Sequence, residues 1–241
     1  MPNAPVLLAL DTATSVCSVA LAHAGTIDEV ARDVGQRHTE HLLSMVDALL
    51  AQHSLRLDDC DAIAFGAGPG SFTGLRVACG VAQGLGYGIG RPVIPVGSLA
   101  AIALEAFTRA PDARTILVAQ DARMDEAYVG VYAMNASVLR EVAAPTLAAP
   151  GDLPALAARY AADAMAGSVL PVFRAQLDSF TGRRIEATPG SARAIARLAL
   201  DALAAGMTVE ASAAAPIYVR DHVALTVEER RMRGGHAAAG T

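Results

Sequence analysis

The sequence has no lysine; all 19 of its basic residues are arginine. That absence removes any mechanism that needs a lysine from this chain, including a phosphate-loop lysine and a lysine Schiff base. Cysteine is scarce as well. Cys17, Cys60 and Cys79 are odd in number and far apart, and no CxxC occurs, which argues against a zinc ribbon and a disulfide framework. Only 18% of residues are charged, and with a net charge of −5 there is no basic footprint for a nucleic acid. Uninterrupted apolar runs long enough to span a membrane are missing, as is a basic stretch followed by an apolar segment at the start. No membrane span and no signal peptide are expected, and the expected compartment is the cytoplasm.

What is present is apolar residue in quantity. At 53% hydrophobic over 241 residues, the chain has enough to build one large domain or two small ones. The alanine richness that accompanies the missing lysine reads as compositional bias. Residues 5–10 form a continuous apolar run ending at Asp11, residues 16–22 alternate, and residues 26–33 follow a Gly25 turn, a pattern that predicts an antiparallel meander. Over residues 38–53 the period changes: Leu42, Met45, Val46, Leu49 and Leu50 recur at three and four, the stripe of an amphipathic helix. Residues 61–66 read as a buried strand, residues 72–87 as a helix, residues 92–96 as a strand, and Ser98 as the N-cap of a helix through Phe107.

After Pro111 the pattern restarts. Strands are expected at 115–120 and 127–133, with a third candidate at 135–142. A helix is expected from Leu153 and a strand at 169–173. Residues 191–205 read as a helix with Ser191 at its start, and residues 216–220 as a last short strand. These units predict an α/β protein of two lobes: an N-terminal lobe over 1–106, a smaller C-terminal lobe over 107–223, and a frayed tail over 224–241.

Five segments are candidates for chemistry or contact. The turn Asp11-Thr12-Ala13-Thr14-Ser15 can hold a hydrated magnesium ion and contact phosphate, or can simply satisfy its own backbone. The stretch GAGPGSFTGLR over residues 66–76 puts Gly68, Gly70 and Ser71 at a strand-to-helix junction. There, backbone N–H groups can meet an anion, or φ > 0 at Gly68 or Gly70 can make a tight turn. It matches neither GxxxxGK[ST] nor GxGxxG. In the helix that follows, Gly80, Gly84 and Gly88 fall on one face beside Val77, Val81 and Tyr87. Each helix-interior glycine costs about 1 kcal/mol relative to alanine, so close approach of another backbone is expected, from either the chain's own sheet or a partner helix. His38 and His41 are three residues apart, one short of zincin spacing, and read as a polar helix start with Glu40 near the dipole. Asp121, Arg123 and Asp125 read as a charged, solvated turn.

Together these segments resemble the TsaB (YeaZ) family. The resemblance rests on LALDTATSVCSVAL over residues 8–21, RHTEHL over 37–42, the glycine stretch 66–76, DARMDEAY over 121–128 and PIYVR over 216–220, all in order. It implies a two-lobed ASKHA fold, related to actin, sugar kinases and Hsp70, with mixed sheets flanked by helices. In that superfamily the first turn reads Asp-x-Gly-Thr; here the glycine position is Ala13. The resemblance further implies a non-catalytic partner of a TsaD-like subunit. In that role it acts with a TsaE-like ATPase to place threonylcarbamoyl on the adenosine beside the tRNA anticodon.

On that reading the chain has no catalytic residue, no metal site and no cofactor of its own, with ATP and a metal ion on the partner subunits. Asp11, Thr12, Thr14, Gly68, Gly70 and Ser71 are remnants of phosphate turns. The partner surface is expected on Leu42, Met45, Val46, Leu49, Val77, Gly80, Val81, Gly84 and Tyr87, giving a homodimer when alone and tRNA contact only through the complex. Two alternatives are an ATP-dependent small-molecule kinase of the same fold and a metallopeptidase-like protein.

Overall fold

The structure is a computed structural model that describes residues 4–136, 138–186 and 191–219. Its first sheet has the order β3-β2-β1-β4-β5. β1 (Leu7–Asp11), β2 (Val16–His23) and β3 (Thr26–Asp33) form the expected antiparallel meander, and β4 (Ala62–Gly68) and β5 (Val93–Gly97) add in parallel. Parallel crossovers need an intervening helix. α1 (His38–Gln52) fills the first, and α2 (Phe72–Ile89) the second.

α3 (Ser98–Arg109) leads to a second sheet of the same design, ordered β10-β9-β6-β7-β8. β6 (Thr115–Arg123), β7 (Glu126–Asn135) and β8 (Val138–Ala148) are an antiparallel meander; β9 (Ala164–Ala166) and β10 (Arg183–Ile185) join in parallel. α4 (Leu153–Arg159) and the short α5 (Val169–Val172) cover one face. The fold is thus the two-lobed α/β arrangement that the resemblance implied. α3 joins the lobes: Ala101 packs on the first sheet, while Leu99, Ile102 and Phe107 pack on the second.

Three sequence expectations are corrected. Residues 169–173 are not a strand: β9 takes the sheet position, and Val169 and Leu170 then turn as a helix onto its face. Residues 216–219 form no strand; Ile217 N–H donates to Ala67 C=O at 2.7 Å without a ladder, and Arg220 lies outside the described residues. The range 107–223 is not one lobe. α6 (Ala192–Ala204) crosses back to cover the first sheet, burying Ala192, Ile195, Ala196 and Ala199 against Leu7, Ala9 and Ile94. Ser18 and Glu29 hold it there, the Ser18 Oγ accepting Ala192 N–H at 2.9 Å and the Glu29 Oε1 accepting Arg193 N–H at 3.0 Å. Beyond it Val209 pairs with Val93. The tail 224–241 lies outside the described residues.

Candidate functional site

The two glycine- and hydroxyl-rich turns meet, and what joins them is the chain's own backbone. Thr12 Oγ1 donates to Gly74 C=O at 2.7 Å, and Ser71 N–H donates to Ala13 C=O at 2.8 Å. The approach explains the glycines. A Cβ at position 74 would lie 1.9 Å from the Thr12 carbonyl oxygen, and one at position 70 would lie 2.9 Å from Ala13 Cβ. Gly68 has φ +114°, which favours glycine. Gly70 does not share that conformation and is small because Ala13 is near, which corrects half of the sequence reading. Ser71 caps α2, its Oγ accepting Gly74 N–H at 3.3 Å. Ser98 is not a cap but the first residue of α3; its Oγ accepts Gly68 N–H at 3.2 Å.

Packing decides which of the predicted phosphate contacts remain open. Thr12 is fully buried with its hydroxyl engaged, and Asp11 is 2% exposed. Asp11 Oδ1 accepts Ala13 N–H at 2.8 Å and packs on Gly66, where a Cβ would lie 2.7 Å from it. Burial pushes its carboxyl up to about 6. The Ala13 and Thr12 N–H groups oppose that rise, and the charges of Glu29 and Glu105 add to it. Asp11 and Thr12 are therefore structural members of the turn, not open contacts. Thr14, Gly70 and Ser71 do face open space. They line a cleft of about 910 Å³ between the lobes, together with Gln120 and Ser168 from the second.

His38 lines the same cleft, although it is 4% exposed. Burial lowers its pKa, against the backbone of Thr14 and the charge of Asp33. It shares no metal geometry with His41, and no group of three His, Cys, Asp or Glu among the described residues fits a metal ion. The cysteines are buried, and burial pushes Cys17 and Cys60 to about 11, out of the range of a reactive thiolate at neutral pH.

The expected partner surface divides in two. Leu42, Met45, Val46 and Leu49 are not available to a partner: all four are at most 3% exposed and pack on the first sheet with Leu8, Val19 and Phe65. Their spacing marked the inward face of α1. Val77 and Val81 are half-buried against that same core. Gly80 and Gly84 are exposed, and a Cβ at either, or at Gly88, would meet nothing within 4 Å. The glycine face therefore points outward, not at the chain's own sheet, with Tyr87 79% exposed beside it and Leu43 of α1 half-exposed.

Sequence reasoning missed a cluster at the cleft mouth. The Arg76 guanidinium lies 3.8 Å from the Phe72 ring centroid, and its Nε donates to the Tyr218 hydroxyl at 3.0 Å. The separation of 142 residues left no local signal of this pairing. Opposite, Arg123, Met124 and Asp125 all have positive φ (56–64°), so the predicted charged turn is also a tightly wound one.

Comparison with known proteins agrees with this geometry. Residues 23–227 match the family model described as TsaD: tRNA N6-adenosine threonylcarbamoyltransferase. The chain is 48% identical over 122 residues to the tRNA threonylcarbamoyladenosine biosynthesis protein TsaB of Haemophilus influenzae. It is 44% identical over 126 residues to the TsaB of Escherichia coli. These alignments span 51% and 52% of the chain and 51% and 54% of those proteins, so the chain spans about half the length of the curated relatives it matches. A solved Pseudomonas aeruginosa protein, described as similar to the peptidase YeaZ, superposes with a TM-score of 0.80 at 37% identity. That match covers 90% of this chain and all of that one. A second structure, YeaZ from Pseudomonas aeruginosa, gives 0.77 at 37% identity over 89% and 99%. Because the family model extends over most of the sequence and the YeaZ likeness over nearly the whole solved chain, this chain belongs to the TsaB (YeaZ) group of the TsaD family.

Proposed function

We propose that this chain is a non-catalytic subunit in tRNA threonylcarbamoyladenosine biosynthesis. It works by pairing with a TsaD-like catalytic protein through the outer face of α2. The observation that carries this reading is the outward glycine row. Gly80 and Gly84 are exposed in the interior of a helix, where each costs about 1 kcal/mol relative to alanine and relieves no crowding within the chain. A second helix packing closely on that face supplies the reason. Tyr87, Leu43 and the outer edges of Val77 and Val81 provide apolar contact around it.

On this reading ATP and a metal ion belong to the partner subunits, a TsaE-like ATPase joins the complex, and tRNA is engaged only by the assembly. When the partner is missing the same face forms a homodimer, and the protein works in the cytoplasm. The sealed Asp11 turn weighs against the kinase alternative, and the three-residue spacing of His38 and His41 weighs against the peptidase. The test is co-purification with the TsaD-like protein of the same organism, followed by titration in the ultracentrifuge. Gly84→Leu is expected to fold and to weaken association about tenfold to hundredfold, by filling the approach of the second helix. Unchanged affinity in the folded variant would refute the interface. Turnover of ATP by the pure protein at about 1 per second or faster, lost in Asp11→Asn, would refute the non-catalytic assignment.

A further inference from the structure

The two faces of the first sheet are covered differently. α1 and α2 pack on one face, with Leu8 and Leu10; α3 and α6 pack on the other, with Leu7 and Ala9. On that second face, between α3, α6 and the start of β3, a groove of about 550 Å³ stays open, the size of a small-molecule site. Its apolar wall is made by Ile27, Leu104 and Ala194. Ile27 and Leu104 are only half-buried, so apolar surface is left wet inside a concave site.

The rim of this groove is basic although the chain is acidic. Three of its eight lining residues are arginine, Arg109, Arg193 and Arg197, in a chain with a net charge of −5. α6 sets two of them four residues apart, hence on one face, and the end of α3 supplies the third. Two of the three are held by the chain itself. Arg193 Nε lies 3.6 Å from Glu29 Oε2, and Arg193 Nη1 donates to the Ile27 carbonyl. Arg109 Nη1 donates to the Glu186 carbonyl. Arg197 is different: among the described residues no carboxylate lies in ion-pair range of it. Against the three guanidinium groups stand two carboxylates, Glu105 in the wall and Glu29 behind Arg193, so one positive charge is left over.

We propose that the groove between α3 and α6 binds a small organic monocarboxylate, its carboxylate on the Arg197 fork and its apolar chain along Ile27 and Leu104. A guanidinium offers two parallel N–H donors, which match the two oxygens of a carboxylate. The charge selects the class. A monoanion neutralises the single charge left over, whereas a phosphate dianion brings one charge too many. The apolar chain accounts for the wet wall, each buried methylene tightening binding by up to about fourfold. The groove shares no lining residue with the interlobe cleft, and it lies on the opposite face of the first sheet from α2. It therefore stands or falls independently of the partner reading.

The test titrates the full-length protein with hexanoate, acetate and hexanamide and follows the methyl resonances of Ile27 and Leu104. Hexanoate is expected to move both and to saturate with a Kd of about 1 mM or tighter. Acetate, which lacks the chain, and hexanamide, which lacks the charge, are each expected to bind about tenfold or more weakly. Arg197→Gln is expected to lose about tenfold or more in hexanoate affinity. Arg140→Gln, at an exposed arginine on β8 of the other lobe, should change nothing. Circular dichroism checks that both variants fold; if Arg197→Gln does not, the contrast between hexanoate and hexanamide decides. A trileucine peptide separates a free acid from a protein terminus, and weaker binding than hexanoate is expected of it. Tighter binding by the peptide, no saturation by about 50 mM hexanoate, hexanamide equal to hexanoate, or full affinity in folded Arg197→Gln would overturn the proposal. So would a short RNA that moves the same methyls in place of hexanoate, since the arginines would then serve a phosphate backbone.

Discussion

Replacing Asp11 by asparagine isolates the energetic effect of one buried charge. Asparagine has nearly the same shape, and its side-chain oxygen keeps the bond that Asp11 Oδ1 accepts from Ala13 N–H at 2.8 Å. What it removes is an ionised carboxylate that is 2% exposed, packed on Gly66 and repelled by Glu29 and Glu105. The carboxyl is raised from its ordinary 3.8 to about 6, chiefly by burial. At about 1.4 kcal/mol per pH unit, that rise means the native state carries about 3 kcal/mol of penalty when Asp11 is charged.

The direction with pH follows from the rise. Above about 6 the group is ionised both folded and unfolded, and the penalty is present in full. As pH falls through 6 the native state takes up a proton before the unfolded state does, and the penalty is relieved. Below about 3 both states are protonated and nothing remains of it. Asp11→Asn is therefore expected to be more stable than the parent by about 2–3 kcal/mol at pH 7.5. In a chain of this length that is a Tm increase of about 5–10 °C. The advantage should shrink to about 1 kcal/mol at pH 4.5 and to near zero at about pH 3. Urea denaturation followed by circular dichroism at several pH values measures it, with the slope m showing that both proteins expose the same surface. A variant that is less stable at pH 7.5, or whose difference from the parent is the same at every pH, would refute the reasoning that burial dominates at this turn.

Three further outcomes follow from the packing. Gly74→Ala should destabilise by about 1–3 kcal/mol or more, because its Cβ meets backbone that cannot swing aside, the Thr12 carbonyl oxygen at 1.9 Å and carbon at 3.0 Å; a melting curve decides. Gly80→Ala meets nothing and should stabilise the isolated chain by up to about 1 kcal/mol, read by the same melt, while leaving its circular dichroism unchanged. On α1, Leu49→Ala should cost about 2–5 kcal/mol and Leu43→Ala about 0.5 or less in urea titrations; equal effects would mean the helix is turned the other way.

The contrast between Leu49 and Leu43 also shows how far the sequence could be read. Period alone located α1 and its apolar stripe, and alternation located the β1–β3 meander, because both signals are local. A stripe at three and four says that one face is buried; it does not say against what. On that ambiguity Leu42, Met45, Val46 and Leu49 read equally well as a partner surface, and the first sheet takes them instead. The glycines carried the complementary information. Gly80 and Gly84 cannot be explained by packing inside the chain, so only the structure could turn their cost into an argument for an outside surface.

At the cleft the limit is of another kind. Asp11 and the glycine stretch 66–76 were legible as a pair of turns because each has its own composition. Their contact, Thr12 to Gly74 and Ala13 to Ser71, depends on β1 and β4 lying side by side, which no local pattern states. The same holds for α6, whose sequence announces a helix but not that Ser18 and Glu29 will hold its start on the first sheet. His38 is the sharpest case. Read in sequence it is one polar residue of a helix start, ordinary beside Thr39 and Glu40. Its meaning comes from three segments converging, α1, the Thr14 turn and the start of α2, which bury the imidazole while leaving one nitrogen without a partner at the edge of an open cleft. Sequence order gives no sign of this, because the Thr14 turn and the start of α2 lie far from His38 along the chain and meet it only once the first sheet has formed.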